Sequence, residues 1–152
     1  MKTQVASPIA SAVAERIVND ESKLLESFDV GMVAYQGDVI IVGIKSLPKS
    51  ANPRKDRQLA DGNTPGSRHI LERGKVYDAN TEEVRTLIEA ATGVAAPTAE
   101  YIGPVFVSPA DPTVDDLSHP EHGNLGFPAG VVCAVIYQKN LDSEERARRS
   151  MD

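Results

Sequence analysis

The chain has no tryptophan, a single cysteine, and only three phenylalanines and four tyrosines in 152 residues. Scarce aromatic rings argue against a surface that stacks the bases of single-stranded nucleic acid. The formal net charge of -6 argues against general phosphate binding, which concentrates lysine and arginine against a polyanion. The one basic run, Lys45, Lys49, Arg54, Lys55 and Arg57, is interrupted by Pro48, Pro53 and Asp56 and reads as a solvated loop. No nucleic-acid partner is therefore expected. A lone cysteine excludes an intramolecular disulfide, and Cys133 sits inside the apolar run "GVVCAVIY", where it reads as a small core residue. No apolar stretch approaches the roughly 18 to 20 residues that cross a bilayer, so no membrane partner is expected. The first residues lack the basic start, apolar block and cleavage site of a secretory signal, and the expected location is the cytoplasm or an intracellular assembly. Catalytic signatures are also missing. There is no G-x-x-x-x-G-K-[ST], no G-x-G-x-x-G, no G-x-S-x-G and no H-E-x-x-H.

What is present is a pattern of alternating elements compatible with one domain. Residues 7 to 28 begin with Ser7 and Pro8, a helix-start pair, and carry Ile9, Val13 and Ile17 at intervals of four. Leu24, Leu25 and Phe28 resume that face, so the segment reads as one amphipathic helix, or two broken near Asn19 and Asp20. Its stripe has two possible partners, the domain's own sheet or a neighbouring subunit, and the pattern alone leaves both open. "GMVAYQGDVIIVGIKSLP" predicts a hairpin: Met32 to Tyr35, a turn at "QGD", and a doubly buried strand through Val39, Ile40, Ile41 and Val42. "RHILERGKVYD" predicts a strand pair turning at Gly74. "NTEEVRTLIEAATG" predicts a helix capped by Asn80 or Thr81, with Glu82 and Glu83 at its positive end and Gly93 closing it. "EYIGPVFVS" and "GVVCAVIYQ" are two further strands, and "DSEERARRSMD" starts with a capping box of Asp142 and Glu145. Val39, Ile41, Val131, Val135 and Ile136 are expected in the core.

The long loop before the last strand, "PADPTVDDLSHPEHGNLGFPAG", contains two of the chain's three histidines. A zinc or iron site needs three or four converging side chains from His, Cys, Asp or Glu. His119 and His122, with Glu121, Asp115 and Asp116, supply the right types, and His69 joins if its loop meets this one. Against a metal, H-x-x-H outside a helix does not aim both imidazoles at one point, and the flanking prolines and glycines explain the stretch as a turn. The turn reading is favoured. His119 is expected as an exposed turn residue, and Glu121 or Asp116 as the carboxylate that would orient a ligating histidine.

Three segments carry a resemblance. "QGDVIIVGIKSLP", "RQLADGNTPGSRHILERG" and "EHGNLGFPAGVVCAVIYQKNLDSEERARRSMD" resemble, in this order, an uncharacterised group of short bacterial proteins. That group has a QGDV-type strand, a G-x-x-H segment and an E-H-x-x-I-x-L-P-x-G-x-Y strand. The resemblance points to His69, His122, Glu121, Pro128 and Gly130. Ser67 stands where the group often has a second histidine, and Val132 where it has tyrosine. By this comparison the first 30 residues and the helix at 81–92 look like additions to a simpler β-core. The H-x-H-like segment followed by "FPAG" also resembles cupins, small β-barrels holding one metal. Only His69 of that pattern's first half is present, and Glu72 follows it too soon.

The expected fold is α+β: a β-sandwich or barrel-like core over 31–141 with the helix at 81–92 inserted. An N-terminal helical extension over 1–30 and a C-terminal helical tail over 142–152 flank it. The expected function is a non-enzymatic, oligomerising structural or binding module in a larger bacterial or phage-related assembly. Self-association is expected through residues 8–28. The alternative is a metal-dependent, cupin-like enzyme or small-ligand-binding protein. It would hold a divalent transition metal through His69, His122 and Glu121.

Overall fold

The computed structural model describes residues 16–17, 21–60, 69–120 and 122–138. Strands and one helix follow in the order β1 (Arg16–Ile17), β2 (Lys23–Leu24), β3 (Val33–Gln36), β4 (Val39–Ile44), β5 (Asn52–Arg54), β6 (Ile70–Leu71), β7 (Lys75–Asp78), α1 (Thr81–Thr92), β8 (Ile102–Val107), β9 (Leu117–Ser118), β10 (Leu125–Gly126) and β11 (Val132–Tyr137). A short 3-10 turn, Ala99–Tyr101, leads into β8.

The strands form two sheets. The larger has seven strands in the order β1-β3-β4-β11-β8-β7-β5, and the smaller has four in the order β2-β10-β9-β6. Helix α1 covers one face of the large sheet and the small sheet covers the other. Side-chain parity along a strand sorts the core accordingly. Ile40, Val42 and Ile44 of β4, with Ala134 and Ile136 of β11, meet Val84 and Ile88 of α1. Val39 and Ile41, with Cys133 and Val135, meet Leu71, Leu117, Leu125 and Phe127 on the opposite side. This is why β4 reads as an unbroken apolar run: all six of its residues are buried, three to each side. Val39, Ile41, Val135 and Ile136 are buried as expected, whereas Val131, just before β11, is only half-buried at its edge of the core. Burial pushes the Cys133 thiol well above its ordinary range, as befits a core residue.

Among the described residues the architecture is sandwich-like and mainly β with one helix. It is not a closed barrel, because β1 and β5 end the large sheet and β2 and β6 end the small one. The helix expected over 7–28 is not what the described part of that stretch forms. Arg16–Ile17 pairs in parallel with β3, and Lys23–Leu24 pairs in parallel with β10. Unpaired edge groups on β3 and β10 accept these short strands. Leu25 and Phe28, read as a helical stripe, are buried in the core facing the small sheet. Residues 1–15 and 18–20, and the expected tail over 142–152, lie outside the described residues. The strand pair expected to turn at Gly74 is also different: β6 pairs with β9 in the small sheet, while β7 pairs with β8 and β5 in the large one. Gly74 is the corner between sheets. Its φ of 110° and the carbonyl of Val107 packed where a Cβ would stand both demand glycine.

Two other local predictions hold. Gly37 has φ 59° and Asp38 does not have a positive φ, the φ signature of a type II′ hairpin turn between β3 and β4. Asn80 caps α1 by accepting from the Glu83 amide, and Gly93 closes it in the left-handed region at φ 76°. Glu83 does more than favour the helix dipole. Its carboxylate accepts from the Ser50 hydroxyl at 2.6 Å and from the Lys49 and Ser50 amides, fastening the loop after β4 to the helix start.

Truncating Ile41 to alanine opens a cavity between the sheets and is expected to cost about 2 to 5 kcal/mol, read by urea or guanidinium unfolding. The Ser50 hydroxyl and then the Lys49 amide hold the Glu83 carboxyl below its ordinary 4.5. A carboxylate depressed in the folded state stabilises it above the unfolded value, and the benefit is lost as pH falls through the folded one. Thermal unfolding from pH 7 downward should therefore show wild type losing its advantage over Glu83→Gln below about pH 4.5, with the gap steady above it.

Candidate functional site

Gln36 ends β3, and parity with Ala34 turns its side chain towards the small sheet. A polar side chain there is buried, 1% exposed, and must find partners within the protein. Its Nε2 donates to the carbonyls of Leu117 and Gly123, each at 3.0 Å. Leu117 lies in β9 and Gly123 in the loop before β10, so this amide joins the large sheet to the small one. With Nε2 so placed, Oε1 faces Nδ1 of His69 at 2.8 Å. His69, directly before β6, is fully buried, and its Nε2 lies 3.1 Å from Oδ1 of Asp38 in the hairpin turn.

His119 follows β9. Its ring centroid is 4.4 Å from that of His69 and 4.8 Å from that of His122. The His122 amide donates to His119 Nδ1 at 3.1 Å, and the His119 amide donates to the Asn124 side chain at 3.2 Å. A Cβ at position 37 would stand 2.9 Å from His122 Cδ2 and 3.5 Å from His69 Cε1. Gly37 thus satisfies the turn and also makes room for the rings.

The two histidine loops do converge, as the three-ring contact shows, but not in the expected manner. His119 is 7% exposed and forms the middle of the cluster; it is not a solvent-exposed turn residue. The side chains that orient His69 are Gln36 and Asp38, not Asp116. Asp116 is buried elsewhere, accepting from the Thr113 amide and hydroxyl. Glu121 lies outside the described residues. Pro128 and Gly130 shape the turn into β11, where the Val131 amide donates to the Pro128 carbonyl. Among the described residues no group of three or more His, Cys, Asp or Glu is disposed to hold a metal ion. Both ring nitrogens of His69 are already bonded, so ligation through it requires breaking one of those contacts. The same holds for a role as general base, which needs an accessible lone pair.

Gln36 and Asp38 were visible in the sequence only as flanks of a turn. The signal that would have found Gln36 is parity: a polar residue at an inward-facing position of a buried strand implies an internal partner.

A family model described as a domain of unknown function (DUF8820) matches residues 35–138. The chain belongs to this family. The matched span of the DUF8820 domain runs from β3 to β11, includes α1, and contains Gln36, Asp38 and all three histidines. No curated protein and no solved structure matches the chain.

Replacing Gln36 by alanine leaves two carbonyls and one imidazole nitrogen of the DUF8820 domain without their partner. Each buried orphan costs about 1 to 3 kcal/mol. Denaturant unfolding of Gln36→Ala is expected to show a total loss of roughly 3 kcal/mol or more, at least about 1 kcal/mol for each of the three groups. A loss within the range of an ordinary surface change would mean the amide does not join the sheets.

Proposed function

We propose that the DUF8820 domain is a non-enzymatic structural or binding module that self-associates within a larger bacterial or phage-related assembly. The observation that carries this reading is the use made of its chemically capable side chains. Both His69 nitrogens, the Gln36 amide and the Asp38 carboxylate bond to one another across the sheet seam. That arrangement uses the hydrogen-bonding capacity of His69 and Gln36 to join the sheets, as a scaffold requires. The sheets also end in short strands at β1, β5, β2 and β6, the kind of edge that a neighbouring chain can extend. Ile9 and Val13, apolar in the sequence and outside the described residues, are the positions to which this reading assigns the contact. No helix among the described residues is long and apolar enough to cross a membrane.

Native mass spectrometry of the full chain at micromolar concentration tests this reading, with an oligomer as the expected result. The double change Ile9→Asp and Val13→Asp should dissociate it without loss of folding. These positions are preferred to deletion of 1–29, which would also remove the core residues Leu25 and Phe28. A folded wild-type monomer would refute self-association. A stoichiometric transition metal in protein purified without an affinity tag, lost in His122→Ala, would replace this reading with the metal-dependent one.

A further inference from the structure

Residues 21–29 form a strap that runs from the small sheet to the large one. At one end the Lys23 and Leu25 amides donate to the Asn124 and Gly126 carbonyls, both at 2.9 Å, and the Ser22 hydroxyl accepts from the Asn124 amide at 3.1 Å. At the other end the Asp29 carbonyl stands against Gly43 of β4. Within the strap only Leu25 and Phe28 are buried, and the Phe28 ring meets Phe127 edge-on, with centroids 4.9 Å apart. Main-chain bonds to a sheet edge, together with a few apolar anchors, are how a domain takes up an extended peptide.

The surface beneath the strap is shaped for a backbone. A Cβ at Gly43 would stand 2.6 Å from the Asp29 carbonyl oxygen. One at Gly126 would stand 2.8 Å from Leu24 Cδ1 and would also meet the Thr113 carbonyl. One at Gly123 would fall on the backbone of Glu21. None of these glycines has a left-handed φ, so close approach, and not backbone conformation, is what excludes a side chain. All three lie with Phe127 inside the span that matches the DUF8820 domain, and the strap lies ahead of it. The seat is part of the domain; its occupant is a separate segment.

We propose that this seat is an exchange site: the strap of one copy docks on the sheets of a second copy, which returns its own. The inference rests on the reading that the domain self-associates, and it names the contact. The contacts within such a pair are those of the closed chain, so the balance turns on concentration and on the hinge. That hinge is short. The Met32 amide donates to the Asp29 carbonyl at 2.9 Å, Gly31 has φ 92°, and Val30 between them is 53% exposed. A tight connection gives the strap little slack to fold back on its own sheets, which favours exchange. The large apolar side chains left exposed among the described residues, Leu24, Val30 and Val114, lie on the strap, at its hinge, and in the loop whose Thr113 carbonyl flanks Gly126. Reciprocal exchange is isologous and leaves no seat empty, so the exchanged unit is a dimer.

Cross-linking of the full chain carrying Leu24→Cys and Val114→Cys, at micromolar concentration with a short bismaleimide, tests the exchange. Both side chains are 38% exposed, so the changes spare the core, and the native Cys133 is fully buried. The expected product is a covalent dimer on a denaturing gel, with peptide mapping joining position 24 to position 114. Native mass spectrometry of the same sample separates the two readings. An oligomer whose 24–114 link stays within one chain overturns the exchange and leaves self-association standing, whereas a monomer with that internal link overturns both. A dimer joined through any other pair of positions, or no link at all, also overturns the exchange. Adding Gly123→Ala, which places a methyl group on the path of Glu21, is expected to remove most of the covalent dimer. A dimer yield unchanged by Gly123→Ala overturns the seat.

Discussion

The bonded run from the Leu117 and Gly123 carbonyls through Gln36 and His69 to Asp38 is the constraint on which the arrangement of the two sheets depends. Apolar contact alone, Ile41 and Val135 against Leu117 and Phe127, would hold the layers together but tolerate sliding. A buried amide that needs two carbonyls and one ring nitrogen tolerates almost none. Such groups are costly when unmatched and specific when matched. Here every described partner is matched, and the small sheet is thereby registered against the end of the β3–β4 hairpin.

The rest of the domain is arranged around that seam. Strands β4 and β11 lie at the centre, buried on both faces because α1 lies on one side and the small sheet on the other. The helix side is fastened by a different polar device, the Glu83 carboxylate gathering the Ser50 hydroxyl and two amides of the loop after β4. The two devices differ in character. The Glu83 contacts lie at the surface, where charge is screened and its effect is modest. The His69 ring itself is fully buried, where an error in pairing is expensive.

This placement bears on function. A histidine cluster beside a long proline-rich loop suggests chemistry when seen in sequence, yet in the fold its rings pack tilted against one another, both His69 nitrogens bond within the protein, and Gly37 leaves room for the rings. A reactive centre needs a group held in readiness for something outside the protein. His69 is held for the protein itself. That is the physical basis for the proposed reading of this chain as a scaffold or binding module.

Local chemistry determined much of this in the sequence alone: the II′ turn at Gly37, the capped helix ending at Gly93, the doubly buried run of β4 and the core cysteine. Each follows from backbone stereochemistry or from the burial pattern of neighbouring residues. The tertiary structure alone decided where strands end up relative to one another. Gly74 looked like a hairpin turn because a glycine between two alternating segments serves either a hairpin or a corner, and only distant partners, β9 for one strand and β8 for the other, make it a corner. Leu24, Leu25 and Phe28 fit a helical stripe, but Lys23–Leu24 pairs with the edge of β10, and Leu25 and Phe28 follow it into the core. The site was legible as His69 and His122, and illegible as Gln36, Asp38 and a buried His119. The reason is that 33 residues separate Gln36 from His69, and 81 separate it from Leu117. A hydrogen bond across such distances exists only once both sheets are in place.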